Sequence, residues 1–123
     1  MQIRIIWPAG TATATLRSTP TSEALRAALP VQSTANTWGQ EVYFGTPVSV
    51  PVEPDAQQVV EPGTVAFWTD GDSLALPFGP TPISRDQECR LASPCNLLGA
   101  LDGDPQALRT VRDGDPIRVE LVG

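Results

Sequence analysis

The sequence predicts a mainly β domain whose sheet closes into a barrel, and three observations carry that prediction. Short segments in which apolar and polar residues alternate recur along the whole chain. The 13 prolines and 10 glycines are spread between those segments, as turns between strands require, and are not gathered into a tail. A single segment has helical spacing, so too few helices exist to cover the faces and edges of an open sheet, and closure is the economical solution. At 123 residues the chain fits one domain over residues 1–123, and 41% apolar against 18% charged residues places it among globular chains.

Residues 2–7 and 11–17 read as strands around Pro8-Ala9-Gly10. In the second strand Ala12, Ala14 and Leu16 alternate with Thr11, Thr13, Thr15 and Arg17, which gives one buried and one solvated face. In STPTSEALRAALP, Thr19 or Thr21 is placed to cap a helix and Glu23 sits in its first turn. Leu25, Ala28 and Leu29 form an apolar stripe that ends before Pro30. A helix of about two turns does not hold alone, so it must dock on the sheet.

From residue 31 to 63 the pattern is β again, with Val42, Phe44, Val48 and Val50 interrupted at Gly45-Thr46-Pro47. PDAQQVVEPG reads as a loop. TVAFWTDGD and SLALPF read as strands joined by a two-residue turn at Asp70-Gly71, where glycine tolerates positive φ. CNLLGAL is a further strand, and DPQALRTVRDGD opens a single helical turn with Asp104 as N-cap and Pro105 after it. PIRVELVG puts Ile117, Val119 and Leu121 on one face. The sum is about eight short strands, one short helix and one helical turn. Period-two placement puts Ile3, Ile5, Val42, Phe44, Val65, Phe67, Leu97, Val119 and Leu121 inside.

Charge and composition exclude several functions. A net charge of -6, from 14 acids against 8 bases that are all arginine, repels phosphate backbones and anionic lipid, so neither nucleic acid nor membrane is an expected partner. No apolar run approaches the roughly 18 residues of a membrane span. Met1-Gln2-Ile3-Arg4-Ile5-Ile6 alternates like a strand, unlike a secretory leader, and a cytoplasmic protein is expected. There is no histidine, which removes the commonest metal ligand, the commonest base near neutral pH, and every Ser-His or Cys-His triad. Cys89 and Cys95 lie outside Cys-x-x-Cys spacing and read as reduced, packed thiols. The Asp-Gly-Asp runs at 70–72, 102–104 and 113–115 read as turns, since a calcium site needs about five to seven oxygens closed by a glutamate. No metal and no cofactor is expected.

Two stretches remain for chemistry. In TWGQEVYF, Glu41 and Tyr43 share one strand face while Val42 and Phe44 share the other. With Val42 and Phe44 in the core, Glu41 and Tyr43 point outward near Trp38. Outward polar residues are commonly just solvated, but an aromatic ring beside a carboxylate is a recurring recognition pair. In FGPTPIS, Phe78, Pro80 and Pro82 flank Thr81 and form a stiff apolar ledge whose φ angles are preset by proline. Trp38, Glu41, Tyr43, Phe78, Pro80, Thr81, Pro82 and Arg90 are therefore expected to line one ligand-binding cleft, with Glu41 and Arg90 fixing the ligand's polar end. Catalytic residues are not identified.

VAFWTDGDSLALPFGPTPIS, ECRLASPCNLLGAL and LRTVRDGDPIRVELV, preceded by a Trp-Gly-x-Glu-Val-Tyr-Phe segment, resemble the small prokaryotic cyclophilin-like proteins in order and over nearly the whole chain. The resemblance implies a closed, eight-stranded cyclophilin-like β-barrel with helices at its ends. It does not imply isomerase activity. Cyclophilins use an arginine beside an apolar pocket lined by Phe, Trp and His, and this sequence lacks both their Phe-His-Arg-Val-type motif and the histidine. Arg90 is the candidate for that arginine, yet its flanks do not match. The chemistry is not forbidden, because X-Pro rotation has a barrier of roughly 18–20 kcal/mol and needs no proton donor. The expected function is a barrel that binds a small molecule or peptide without cyclophilin-type isomerase activity. The alternatives are a prolyl isomerase, an enzyme using Glu41 as base, or an interaction module whose aromatic patch makes a homodimer.

Overall fold

In the computed structural model, which describes residues 1–123, β1 (Gln2–Trp7) and β2 (Gly10–Leu16) pair as an antiparallel hairpin with Ile3 opposite Ala14 and Ile5 opposite Ala12. The alternation in these strands buries both isoleucines and Ala14 completely. Helix α1 (Pro20–Ala28) follows. Thr19 is its cap: the Ser22 amide donates to the Thr19 hydroxyl at 3.0 Å and the Thr19 amide donates to the Ser22 hydroxyl at 2.8 Å. Thr21, the other candidate, binds the Glu53 carboxylate through its amide and hydroxyl, which pins the loop before β6 to the helix start. Leu25 carries the helix into the core.

The remaining strands are β3 (Val31–Thr34), β4 (Asn36–Thr37), β5 (Glu41–Gly45), β6 (Gln57–Val60), β7 (Thr64–Trp68), β8 (Ser73–Pro77), β9 (Cys89–Leu101) and β10 (Pro116–Leu121). They form one ten-stranded sheet in the order β3-β10-β1-β2-β9-β7-β8-β5-β4, with β6 attached to β9 off that path. The two end strands β3 and β4 are consecutive in the chain. The segment 31–37 therefore pairs with β10 through its first half and with β5 through its second. The Ser33 hydroxyl spans the seam, donating to the Gly45 carbonyl at 2.7 Å. The barrel is nearly closed, since no strand ladder joins β3 directly to β5.

Several expectations need correction. Nine strands lie on the barrel path where about eight were expected, and closure is incomplete. The stretch expected to be a loop contains β6, a half-buried strand that exists because the edge of β9 pairs with it. Strand β9 is 13 residues long and starts at Cys89, six positions before the predicted start at Cys95. The Asp70-Gly71 turn is not a two-residue hairpin. Thr69–Gly71 form a 3-10 turn, and the positive φ falls on Asp72, at 48°. Leu97 and Leu121 are not in the barrel interior. A register shift in the β7–β9 ladder between Val65 and Ala66 turns Leu98 inward and Leu97 outward, and Leu121 is the last residue of its strand, 41% exposed.

The helical turn is present as a 3-10 segment, Pro105–Thr110, capped by Asp104 accepting from the Gln106 amide at 2.9 Å. The main core fills the barrel with Ile3, Ile5, Val42, Phe44, Val65, Phe67 and Val119, all fully buried. A second, smaller apolar cluster lies on the outer face, made of Ala66, Ala75, Leu91 and Cys95 with Tyr43, Val60, Trp68 and Leu97 against them. No helix is long and apolar enough to cross a membrane.

Candidate functional site

The outer cluster borders a partly open cavity, and local pairing explains its floor. Tyr43 on β5 sits opposite Ala75 on β8, and Ala75 sits opposite Ala66 on β7. Residues directly opposite share a face, so two alanines leave space beside an outward tyrosine. The first half of β9 folds back over this floor with Leu91, Ala92 and Cys95. The resulting cavity of about 190 Å³ is lined by Trp38, Glu41, Tyr43, Trp68, Ala75, Leu91, Ala92 and Cys95.

The aromatic walls are held in place. The Trp68 indole nitrogen donates to the Ser93 hydroxyl at 3.1 Å, and its ring meets Tyr43 edge-on, with centroids 6.1 Å apart and planes at 85°. Gly71 makes room for that indole, since a Cβ there would fall 2.5 Å from the Trp68 ring. This close approach, and not the turn conformation, accounts for the glycine.

Glu41 is the unusual residue. It is 6% exposed, and its Oε1 is the one buried side-chain nitrogen or oxygen in the chain without a hydrogen-bond partner. Burial disfavours the charged form and pushes its carboxyl up from 4.5 to about 7. Cys95, in the same cavity, is pushed up to about 12, first by burial and then by the negative charges of Glu41 and Asp70. Cys89 is raised as well, again chiefly by burial. Both thiols are free and buried.

Of the eight residues expected in one cleft, the structure brings Trp38, Glu41 and Tyr43 to this cavity. Phe78, Pro80, Thr81, Pro82 and Arg90 do not line it. Phe78 is 7% exposed and belongs to the barrel core, because the strand carries it inward past Pro77. Arg90 turns its guanidinium to Glu88, with Nε donating to Oε1 at 2.7 Å, so it is already paired. That pairing, with a further bond from the Arg85 amide, holds the Glu88 carboxyl below its usual value.

The proline corner instead acts on the cavity through the backbone. The Gln40 amide donates to the Pro80 carbonyl at 2.9 Å, and the Phe78 amide donates to the Gln40 carbonyl at 2.8 Å. Gly39 sits at φ +59° with its α-carbon so close to the corner that a Cβ would meet Pro82 Cδ and Thr81 Cα at 2.9 Å. At the other side, the Thr81 hydroxyl donates to the Arg90 carbonyl and the Thr81 amide donates to the Ser84 hydroxyl at 2.8 Å. One stiff segment thus clamps the turn that presents Trp38 and Glu41 to the strand that carries Leu91.

The sequence reading missed Trp68, Ala75, Leu91, Ala92 and Cys95. Trp68 had a signal, since it follows the inward Phe67 and must point outward. Leu91 and Ala92 had none, because the strand bearing them is defined by its partner β6. No group of three or more Cys, Asp or Glu side chains is arranged to hold a metal ion.

Comparison with known proteins gives a consistent picture of the fold. The profile of the family described as cyclophilin-like matches residues 1–120. The solution structure of a hypothetical protein from Archaeoglobus fulgidus superposes with a TM-score of 0.85 at 38% sequence identity, covering 99% of this chain and 95% of that one. No curated protein matches.

Proposed function

We propose that this chain, which belongs to the cyclophilin-like family, is a binding module that takes one small apolar ring, free or on a peptide, into the outer-face cavity and receives its polar donor on Glu41. The carrying observation is the unpartnered Oε1 of a buried glutamate in an otherwise apolar pocket. A buried polar atom left without a partner costs about 1–3 kcal/mol, so its retention calls for a compensating role. The cavity measures about 190 Å³. A cavity of about 150 Å³ holds benzene, so a single ring with a short polar substituent suits this one. Isomerisation has less support, because Arg90 is paired with Glu88 and no arginine lines the cavity. The unbridged thiols suit a reducing, cytoplasmic setting.

The test is a fragment screen by NMR on wild type and Glu41→Gln, beside a proline-peptide isomerisation assay. Single-ring hits should shift the indole signals of Trp38 and Trp68, and should bind the variant differently. Hits that leave both indoles unmoved would remove the cavity from consideration. Strong acceleration of X-Pro rotation that Arg90→Ala abolishes would restore the isomerase reading.

A second reading is favoured by the Glu41 carboxyl lying at about 7, the range that suits a general base. A benzisoxazole probe, whose C–H proton goes to a base as its N–O bond opens, examines it. A rate that climbs through that pH in wild type and vanishes in Glu41→Gln supports a base. An unchanged rate in the variant excludes it.

A further inference from the structure

We propose that the ligand of the outer-face cavity is an organic ammonium, a protonated amine on a single apolar ring, with its cationic nitrogen on Glu41 and among the rings of Trp38, Tyr43 and Trp68. The inference rests on the reading of this cavity as a binding site and adds the sign of the ligand's charge. Among the lining residues Glu41 is the sole charged side chain, and no arginine reaches the space. The nearest basic candidate on the wall strand, Arg90, is bonded to Glu88 at 2.7 Å.

A neutral donor such as an alcohol would satisfy the lone Oε1. It would leave the carboxylate charge itself uncompensated in an apolar surrounding, whereas a cation offsets both deficits at once. The walls favour the same choice. Three of the eight lining residues are aromatic, and π faces attract ammonium groups, more strongly once water is displaced. The surrounding field has the matching sign: Glu41 and Asp70 both act on Cys95 as negative neighbours, and the whole chain carries a net charge of -6. An anionic ligand meets repulsion at every one of these scales.

The test uses three matched one-ring probes, benzylamine, benzyl alcohol and toluene, titrated into wild type and the near-isosteric Glu41→Gln. At about pH 8 both the amine and Glu41 are largely charged. Benzylamine should bind wild type about tenfold or more tighter than benzyl alcohol, the scale of one charge-assisted hydrogen bond, and that preference should disappear in the variant. Benzyl alcohol or toluene binding wild type as tightly as benzylamine overturns the ammonium assignment while leaving the cavity a binding site. A benzylamine preference that persists in Glu41→Gln overturns the assignment as well. Failure of all three probes to bind overturns both readings.

Discussion

The carboxyl of Glu41 makes the sharpest prediction at the scale of single residues. Its folded value is raised from 4.5 to about 7 by burial, so the folded protein keeps a proton that the unfolded chain has released. Between those values stability falls as pH rises. Below the lower one the effect is absent, and above the upper one the loss is complete, at about 3 kcal/mol by the usual conversion. Glu88 and Asp102 are shifted downward, so their contributions are lost only at more acidic pH and do not enter this window. Glu41→Gln should therefore match wild type near pH 5 and exceed it near pH 8 in urea midpoint. Equal midpoints at both pH values would show that the carboxyl is solvated. A solvated carboxyl in a wet cleft would instead change stability little on removal. The thiols give a second prediction. With Cys95 at about 12, roughly a thousandfold fewer thiolates exist than at its ordinary value, and Cys89 is also raised and buried. Both should resist iodoacetamide in the folded protein and react on unfolding. Rapid native labelling of either cysteine, located by mass spectrometry, would contradict the burial described.

At the scale of elements, the fold spends one long strand twice. The second half of β9 pairs with β2 and β7 in the barrel, while its first half pairs with β6 and roofs the outer cavity. The proline corner ties that roof to the Trp38 turn, through the Pro80 carbonyl on one side and Thr81 on the other. Gly39→Ala tests the clamp. It places a Cβ at 2.9 Å from Pro82 and Thr81 on a backbone with φ +59°. A loss of about 1–3 kcal/mol is expected in chemical denaturation, with displaced Trp38 signals in NMR spectra. A variant as stable as wild type, with unmoved indole signals, would mean that the corner and the turn are not coupled. Much of this level was legible beforehand. A threonine cap at position 19 or 21, the Asp104 cap and the stiffness of the prolines follow from local chemistry, and the structure selects Thr19. The use of that stiffness did not, because it depends on Gln40 in the turn before β5 and Arg90 on β9 meeting the corner from elsewhere in the chain.

For the whole molecule, the decisive feature is that the cavity lies outside the barrel. Phe67 is fully buried in the interior and Leu91 in the small outer cluster. Phe67→Ala should cost about 3–5 kcal/mol and endanger folding, as core truncation of an aromatic residue does. Leu91→Ala should cost less, because fewer atoms enclose the outer cluster, and should enlarge the site and admit bulkier rings. Urea midpoints of the two variants, read beside the fragment screen, check both statements. A Leu91→Ala protein as destabilised as Phe67→Ala would merge the two clusters into a single core.

Strand alternation was settled by the sequence alone. Val42 and Phe44 must oppose Glu41 and Tyr43 whatever surrounds them, because successive side chains on an extended backbone point to opposite faces. The barrel core of Ile3, Ile5, Val65, Phe67 and Val119 follows from the same local geometry. Tertiary structure decided which outward residues are covered. The half-buried β6 becomes a strand only against β9, and β9 reaches Cys89 only with β6 beside it. Their mutual pairing, together with the corner that ties β9 to the Trp38 turn, converts Glu41 from an outward polar residue into a buried one. Facing is a property of neighbouring bonds and can be read from a few residues. Burial depends on segments far apart in the chain meeting in space, and no short stretch encodes it.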